Sequence, residues 1–172
     1  MNYPTILPQF FTATILNWNH LLKDDEYKDI IMECLKFMVD DKRIEVNAFI
    51  IMSNHVHIIW QPLQHYTLTQ IQTSFMTYTA KAIKKKLLQL KPDLLETLKV
   101  NKYDRTYQIW KRKSLSIELF TEKAVMEKLQ YIHQNPVTAG LVSFAEEYKY
   151  SSAKFYFSGT DEFNIVTHYS GN

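Results

Sequence analysis

"IEVNAFIIM", residues 44–52, and "HVHIIWQP", residues 55–62, are two apolar, β-branched runs separated only by Ser53 and Asn54. The residue types at the break suit a tight turn, so the pair reads as a β-hairpin whose second strand ends at Pro62. Side chains alternate between the two faces of a strand. In the second run, Val56 and Ile58 share one face, while Ile59 shares the other with His55 and His57. Both faces are apolar, so the hairpin needs cover on both sides, and the rest of the chain has to supply it.

The flanking segments read as that cover. "QFFTATILNW" (9–18) has the aromatic and β-branched content of another strand. In "DDEYKDIIMECLKFMV" (24–39), Ile30, Ile31, Cys34, Leu35 and Met38 form one helical face, with Asp24 as the expected N-cap. A long helix is expected from Thr67 to about Leu90, with Leu68, Ile71, Phe75, Tyr78 and Ala82 at helical spacing and Pro92 closing it. Residues 98–116 read as loop or short strand. A further helix starts at Thr121, packs through Val125, Leu129 and Ile132, and is expected to stop at Asn135 because Pro136 follows. Gly140 marks a turn, "EEYKYSSAKFY" (146–156) is polar and tyrosine-rich, and residues 158–172 read as a loose tail. Strand, helix, hairpin, helix, helix is an α+β order with a central antiparallel sheet. At 172 residues the chain suits one domain, its core spanning about 9–157.

Composition narrows the functional classes. A lone cysteine, Cys34, permits neither an internal disulfide nor a thiolate zinc site, which fits a reducing cytoplasmic setting. No stretch has the length of a membrane span, and the N-terminus lacks a signal-peptide pattern, so no membrane partner is expected. The net charge is only +2, but residues 81–113 hold eleven Lys/Arg against three Asp/Glu, leaving −6 on the remainder. Lys81, Lys84, Lys85, Lys86, Lys111, Arg112 and Lys113 could face a polyanion, with Trp110 or Tyr107 for base stacking, or simply be solvated.

His55 and His57 project to the same face of their strand, about 6.6 Å apart along the backbone. They could converge on one divalent ion, or they could be hydrogen-bonded histidines with no ligand. A metal site needs a further ligand and a reactive group. Tyr131 and Asn135 are four apart on the last long helix, so their side chains are neighbours. A phenol is a potential covalent nucleophile, and an amide oxygen suits Mg²⁺ or Mn²⁺. Tyr78 is a rival helical tyrosine, but its neighbour four residues on, Ala82, offers no ligand.

"VNAFIIMSNHVHIIW" resembles the His-hydrophobic-His (HUH) motif of the single-strand DNA transposases. "KLQYIHQNPVTAGLV" followed by "YKYSSAKFY" is similar to the C-terminal signature of the REP-associated tyrosine transposases and their IS200-like relatives. "SFMTYTAKAIKK" looks like the central helix of that family. The resemblance spans roughly residues 9–157 and implies a ferredoxin-like α+β core. It makes His55, His57 and Asn135 ligands of a divalent metal, Mg²⁺ or Mn²⁺, and Tyr131 the nucleophile that cuts single-stranded DNA near hairpin-forming imperfect palindromes. The implied intermediate is a 5′-phosphotyrosine, resealed by another 3′-hydroxyl, in a monomer or a homodimer. Asn135, where insertion-sequence members usually carry glutamine, resembles the REP-associated branch. "KRKSLSIELF" and the residues after 157 depart from the family pattern.

Other readings of the same motif fit less well. Histidine-triad hydrolases need a third histidine where this chain has Ile59, and two-histidine phosphoesterases need a second His-x-Ser/Thr. A domesticated DNA-binding protein that no longer cuts is the alternative within the same fold.

Overall fold

The computed structural model describes residues 7–63 and 65–170. Eleven elements follow one another: β1 (Gln9–Thr14), α1 (Asp25–Asp40), β2 (Ile44–Ile51), β3 (His55–Pro62), α2 (Leu68–Leu90), α3 (Pro92–Glu96), β4 (Lys99–Lys102), β5 (Arg105–Tyr107), β6 (Leu115–Glu118), α4 (Glu122–Thr138) and α5 (Ala153–Ser158), with short 3₁₀ turns between some of them. Four strands form one antiparallel sheet in the order β2-β3-β1-β6, and β4-β5 is a separate small hairpin. Leaving out α3 and the β4-β5 hairpin, β1-α1-β2-β3-α2-β6 in that strand order is the ferredoxin-like βαββαβ arrangement. Among the described residues no helix is long and apolar enough to cross a membrane.

The doubly apolar hairpin is covered on both faces. On one face Phe11, Phe49, Val56, Ile58 and Trp60 pack against Ile31, Leu35 and Met38 of α1 and Ile71, Phe75 and Ile83 of α2. On the other, Phe10, Ala48, Ile50, Met52 and Ile59 pack against Val125, Leu129 and Ile132 of α4. Burying side chains of this size stabilises the fold by about 1.5–3 kcal/mol each before conformational entropy is subtracted. The α4 stripe matches the sequence expectation. The α2 stripe follows Ile71, Phe75, Thr79, Ile83 and Leu87, so Tyr78 is exposed instead of buried. Thr79 tolerates the core because its hydroxyl donates to the Phe75 carbonyl at 2.7 Å. Thr67 and Gln70 close a capping box at the start of α2. Asp24 occupies the N-cap of α1, but its carboxylate pairs with Lys91 and makes no cap bond.

Three sequence expectations are corrected. The first strand ends at Thr14, not Trp18, because Asn17 and Trp18 turn into left-handed backbone (φ 56° and 57°). Helix α4 runs through Pro136 to Thr138. Its end is a Schellman motif: Gly140, at φ 70°, donates to the Val137 carbonyl (2.9 Å) and Leu141 to the Pro136 carbonyl (2.9 Å). The segment after 157 is tied down, not loose. Ile165 is buried, Thr167 N–H donates to the Val46 carbonyl at 2.8 Å, and Asp161 accepts from the amides of Ile165 and Val166 at 2.7 Å each. With the tyrosine-rich segment it covers the open edge of β2. The Ile51 amide donates to the Tyr150 carbonyl, while the Tyr148 and Tyr156 phenols donate to the carbonyls of Ile51 and Asn47.

Candidate active site

Strand pairing fixes the histidines. In the β1–β3 register, Thr12 lies opposite His57 and Thr14 opposite His55, and both imidazoles share the α4 face with Phe10 and Ile59. Their ring centroids are 4.7 Å apart. The His55 Nδ1–H donates to the Asn54 side-chain oxygen at 2.7 Å, which leaves Nε2 with a bare lone pair. His57 Nδ1 is 2.7 Å from the Thr12 hydroxyl, and its Nε2 is buried with no protein partner. Burial holds the His57 pKa down to about 3, with His55 and the Lys128 charge adding to the effect. His55 is lowered by burial as well. Both imidazoles are therefore neutral near pH 7, the form that donates a lone pair to a cation.

Helix α4 brings Tyr131 to them. Val125, Leu129 and Ile132 anchor it on the sheet, and Tyr131 lies over the same face against β1 and β3. The Tyr131 ring lies 5.3 Å from His57 and 6.1 Å from Phe10, and Phe10 in turn stacks on His57 at 5.3 Å. Tyr131 remains 50% exposed, so a large substrate can reach it. Asn135 is half-buried one turn farther along the same unbroken helix. Tyr78 is on α2, which packs on the opposite face of the sheet, and cannot serve this pair. Among the described residues no three His, Cys, Asp or Glu side chains converge. Two neutral imidazoles are donors of a kind that suits a divalent cation, and the Nε2 of His57 is buried with no protein partner.

The basic residues separate into groups. Lys81, Lys84, Lys111 and Arg112 line a groove of about 480 Å³ between α2 and residues 104–112, together with Arg105. Lys111, Arg112 and Lys113 also line an adjoining groove of about 430 Å³ whose walls include Thr12, Thr14 and Leu115. Thr12 and Thr14 on its wall are the strand partners of His57 and His55, and the Thr12 hydroxyl is 2.7 Å from His57 Nδ1. Lys85 is exposed on α2 outside the first groove, and Lys86 turns to α1, where its ammonium is 3.6 Å from the Glu26 carboxylate. Trp110 is only 4% exposed; its indole N–H donates to Thr79 at 3.0 Å and its ring packs near Phe75, so it offers no face to a base. The Tyr107 phenol donates to Glu96, and the Lys84 ammonium sits over its ring.

Sequence reasoning missed Thr12, Phe10 and Lys128. Thr12 and Phe10 reach the site only through pairing with a strand some 45 positions later, which leaves no local signal. Lys128 lies three residues before Tyr131, so helical spacing could have found it.

Comparison with known proteins identifies the family. The family model described as "Transposase IS200 like" matches residues 13–135. A REP-associated tyrosine transposase solved bound to a REP hairpin superposes with a TM-score of 0.66 at 19% identity, covering 99% of this chain and 93% of that one. A protein from Deinococcus radiodurans R1, assigned as a transposase, gives a TM-score of 0.48 at 13% identity, covering 77% and 94% respectively. No curated protein matches the chain in sequence. The family match takes in the strand-borne histidine pair and the helix with Tyr131 and Asn135, and on it the chain belongs to the IS200-like transposase family.

Proposed function

We propose that this transposase is a metal-dependent single-stranded DNA endonuclease and strand transferase, with Tyr131 as nucleophile and His55, His57 and Asn135 as metal ligands. The observation that carries the reading is the placement of an accessible phenol 5.3 Å from a buried imidazole whose Nε2 has no protein partner. A divalent cation, Mg²⁺ or Mn²⁺, would supply Lewis-acid withdrawal of charge from the phosphate oxygens. The Tyr131 oxygen bonds to phosphorus as the phenol loses its proton. The bond from phosphorus to the 3′ oxygen breaks, and that oxygen takes up a proton. A 5′-phosphotyrosine and a free 3′-hydroxyl result. Attack by another 3′-hydroxyl reverses the step and rejoins DNA, with the energy of the phosphodiester conserved in the phosphotyrosine bond.

The DNA partner in this reading is a single strand next to an imperfect palindrome. Its support is the fold shared with a protein solved on a REP hairpin and the basic groove whose wall includes Thr12, the hydrogen-bond partner of His57. Incubation of the purified protein with hairpin-bearing oligonucleotides and Mg²⁺ or Mn²⁺ tests it. Nicking is expected, with loss of at least about a hundredfold in His57→Ala or on chelation. Undiminished cleavage after chelation removes the metal from the account. Hairpin binding with no cleavage under any metal identifies a domesticated binding protein instead.

A further inference from the structure

Lys128 has no role in the chemistry described so far, yet it stands at the nucleophile. It is half-buried on α4, one turn before Tyr131 and on the same side of the helix. Its ammonium lies 4.8 Å from the centre of the Phe10 ring and 5.7 Å from that of Tyr131. Phe10 is also the ring that stacks on His57, so ammonium, phenol and imidazole border one small region. Among the described residues no carboxylate pairs with Lys128, and the adjacent Glu127 is directed to Lys123 at 3.9 Å. A cation held over aromatic faces without a counter-ion retains its attraction for an anion, because cation–π contacts at such sites contribute only about 0.5–1 kcal/mol.

A phosphate under attack has to sit within about 3–3.5 Å of the phenol oxygen. The lysine stem is flexible, and from its resting position over the Tyr131 ring it can meet the non-bridging oxygens of a group placed there. Attack by the phenol places charge on those same oxygens, where an adjacent positive charge stabilises the transition state more than the ground state. We infer that Lys128 is a phosphate-binding residue of the active site and contacts a non-bridging oxygen of the scissile phosphate beside Tyr131. This inference rests on the phosphotyrosine reading of the site.

The test separates the two. Hairpin oligonucleotides carrying one neutral methylphosphonate at successive linkages are bound to Tyr131→Phe protein, with and without Lys128→Met, and the cleaved linkage is mapped separately with unsubstituted protein. Methionine keeps the apolar stem over Phe10 and removes the charge, so an unchanged melting temperature shows that the variant is folded. At the cleaved linkage alone, neutralisation is expected to weaken binding about tenfold in the Lys128 protein and to have little effect in Lys128→Met. With Tyr131 intact, Lys128→Met is expected to lower the cleavage rate by about tenfold to a hundredfold, and Lys128→Arg to recover most of it. Coupling at no linkage, or at a linkage other than the cleaved one, overturns the assignment of Lys128. Absence of cleavage by unsubstituted protein overturns the nucleophile reading and the Lys128 contact with it. Coupling with no cleavage would leave Lys128 an ordinary backbone contact, which is also against the inference.

Discussion

What His57 is available for depends on its two nitrogens. Nδ1 is held by Thr12 from the neighbouring strand, and Nε2 is left buried and bare. A Thr12 hydroxyl that accepts from Nδ1–H fixes the tautomer in which Nε2 carries the lone pair, so in the proposed site Thr12 would orient His57 without itself being a ligand. Thr12→Val is therefore expected to weaken metal activation of cleavage by about tenfold to a hundredfold. Thr12→Ser should stay near the starting value. A Mn²⁺ titration of the cleavage rate measures this, and equal behaviour of the two variants would refute the role. The pairing of His55 with His57 and of Tyr131 with Asn135 is legible as local spacing, two apart on a strand and four apart on a helix, whereas the approach of Tyr131 to His57 needs the fold. Trp110 misleads for the latter reason. A tryptophan beside "KRK" looks like a stacking platform until Thr79, 31 positions earlier, is seen to accept its indole N–H. Lys86 misleads in the same way, since its partner Glu26 lies 60 positions back on another helix.

Among the elements, α4 matters most, because it must reach past Asn135 without breaking. The helix extends to Thr138 despite Pro136, and the chain is turned by Gly140 in left-handed backbone. No atom lies within 4 Å of where a Cβ would sit at that glycine. The cost of Gly140→Ala is then conformational alone, about 1–2 kcal/mol, and thermal denaturation should show a melting temperature lower by a few degrees. A melting temperature equal to that of the unsubstituted protein would mean that this turn does not set the helix end. Helices α1, α2 and α4 and the hairpin are readable from periodicity, but the α2 stripe shifts by one residue after Phe75, where Thr79 and Ile83 enter the core in place of Tyr78 and Ala82. The covering of β2 is not readable. Residues 146–167 look polar and irregular, yet their phenols and amides satisfy the open edge of a strand a hundred positions earlier, a pairing without local periodicity.

At the scale of the whole molecule, the fold sorts its charge. The basic segment 81–113 is split between α2 and the chain after β5, and folding brings the two parts together as adjoining grooves that lead past Thr12 and Thr14. Single-strand affinity is expected to fall steeply with salt. Neutralising Lys81, Lys84 or Arg112 to Gln should flatten the log–log slope by about 0.7 for each DNA phosphate that goes unneutralised, whereas Lys86→Gln should leave it unchanged. Equal slopes for all four variants would show that the grooves are not the path of the DNA. The sequence discloses the excess charge, but which lysines act together depends on tertiary packing. The central claim remains the phenol above the histidine pair, and peptide mapping of the covalent adduct tests it most directly. After incubation with a hairpin-bearing single strand and Mn²⁺, proteolysis and mass spectrometry should place the nucleotide on Tyr131, with no adduct in Tyr131→Phe. A nucleotide found on any other residue, or cleavage that persists in Tyr131→Phe, would contradict the account.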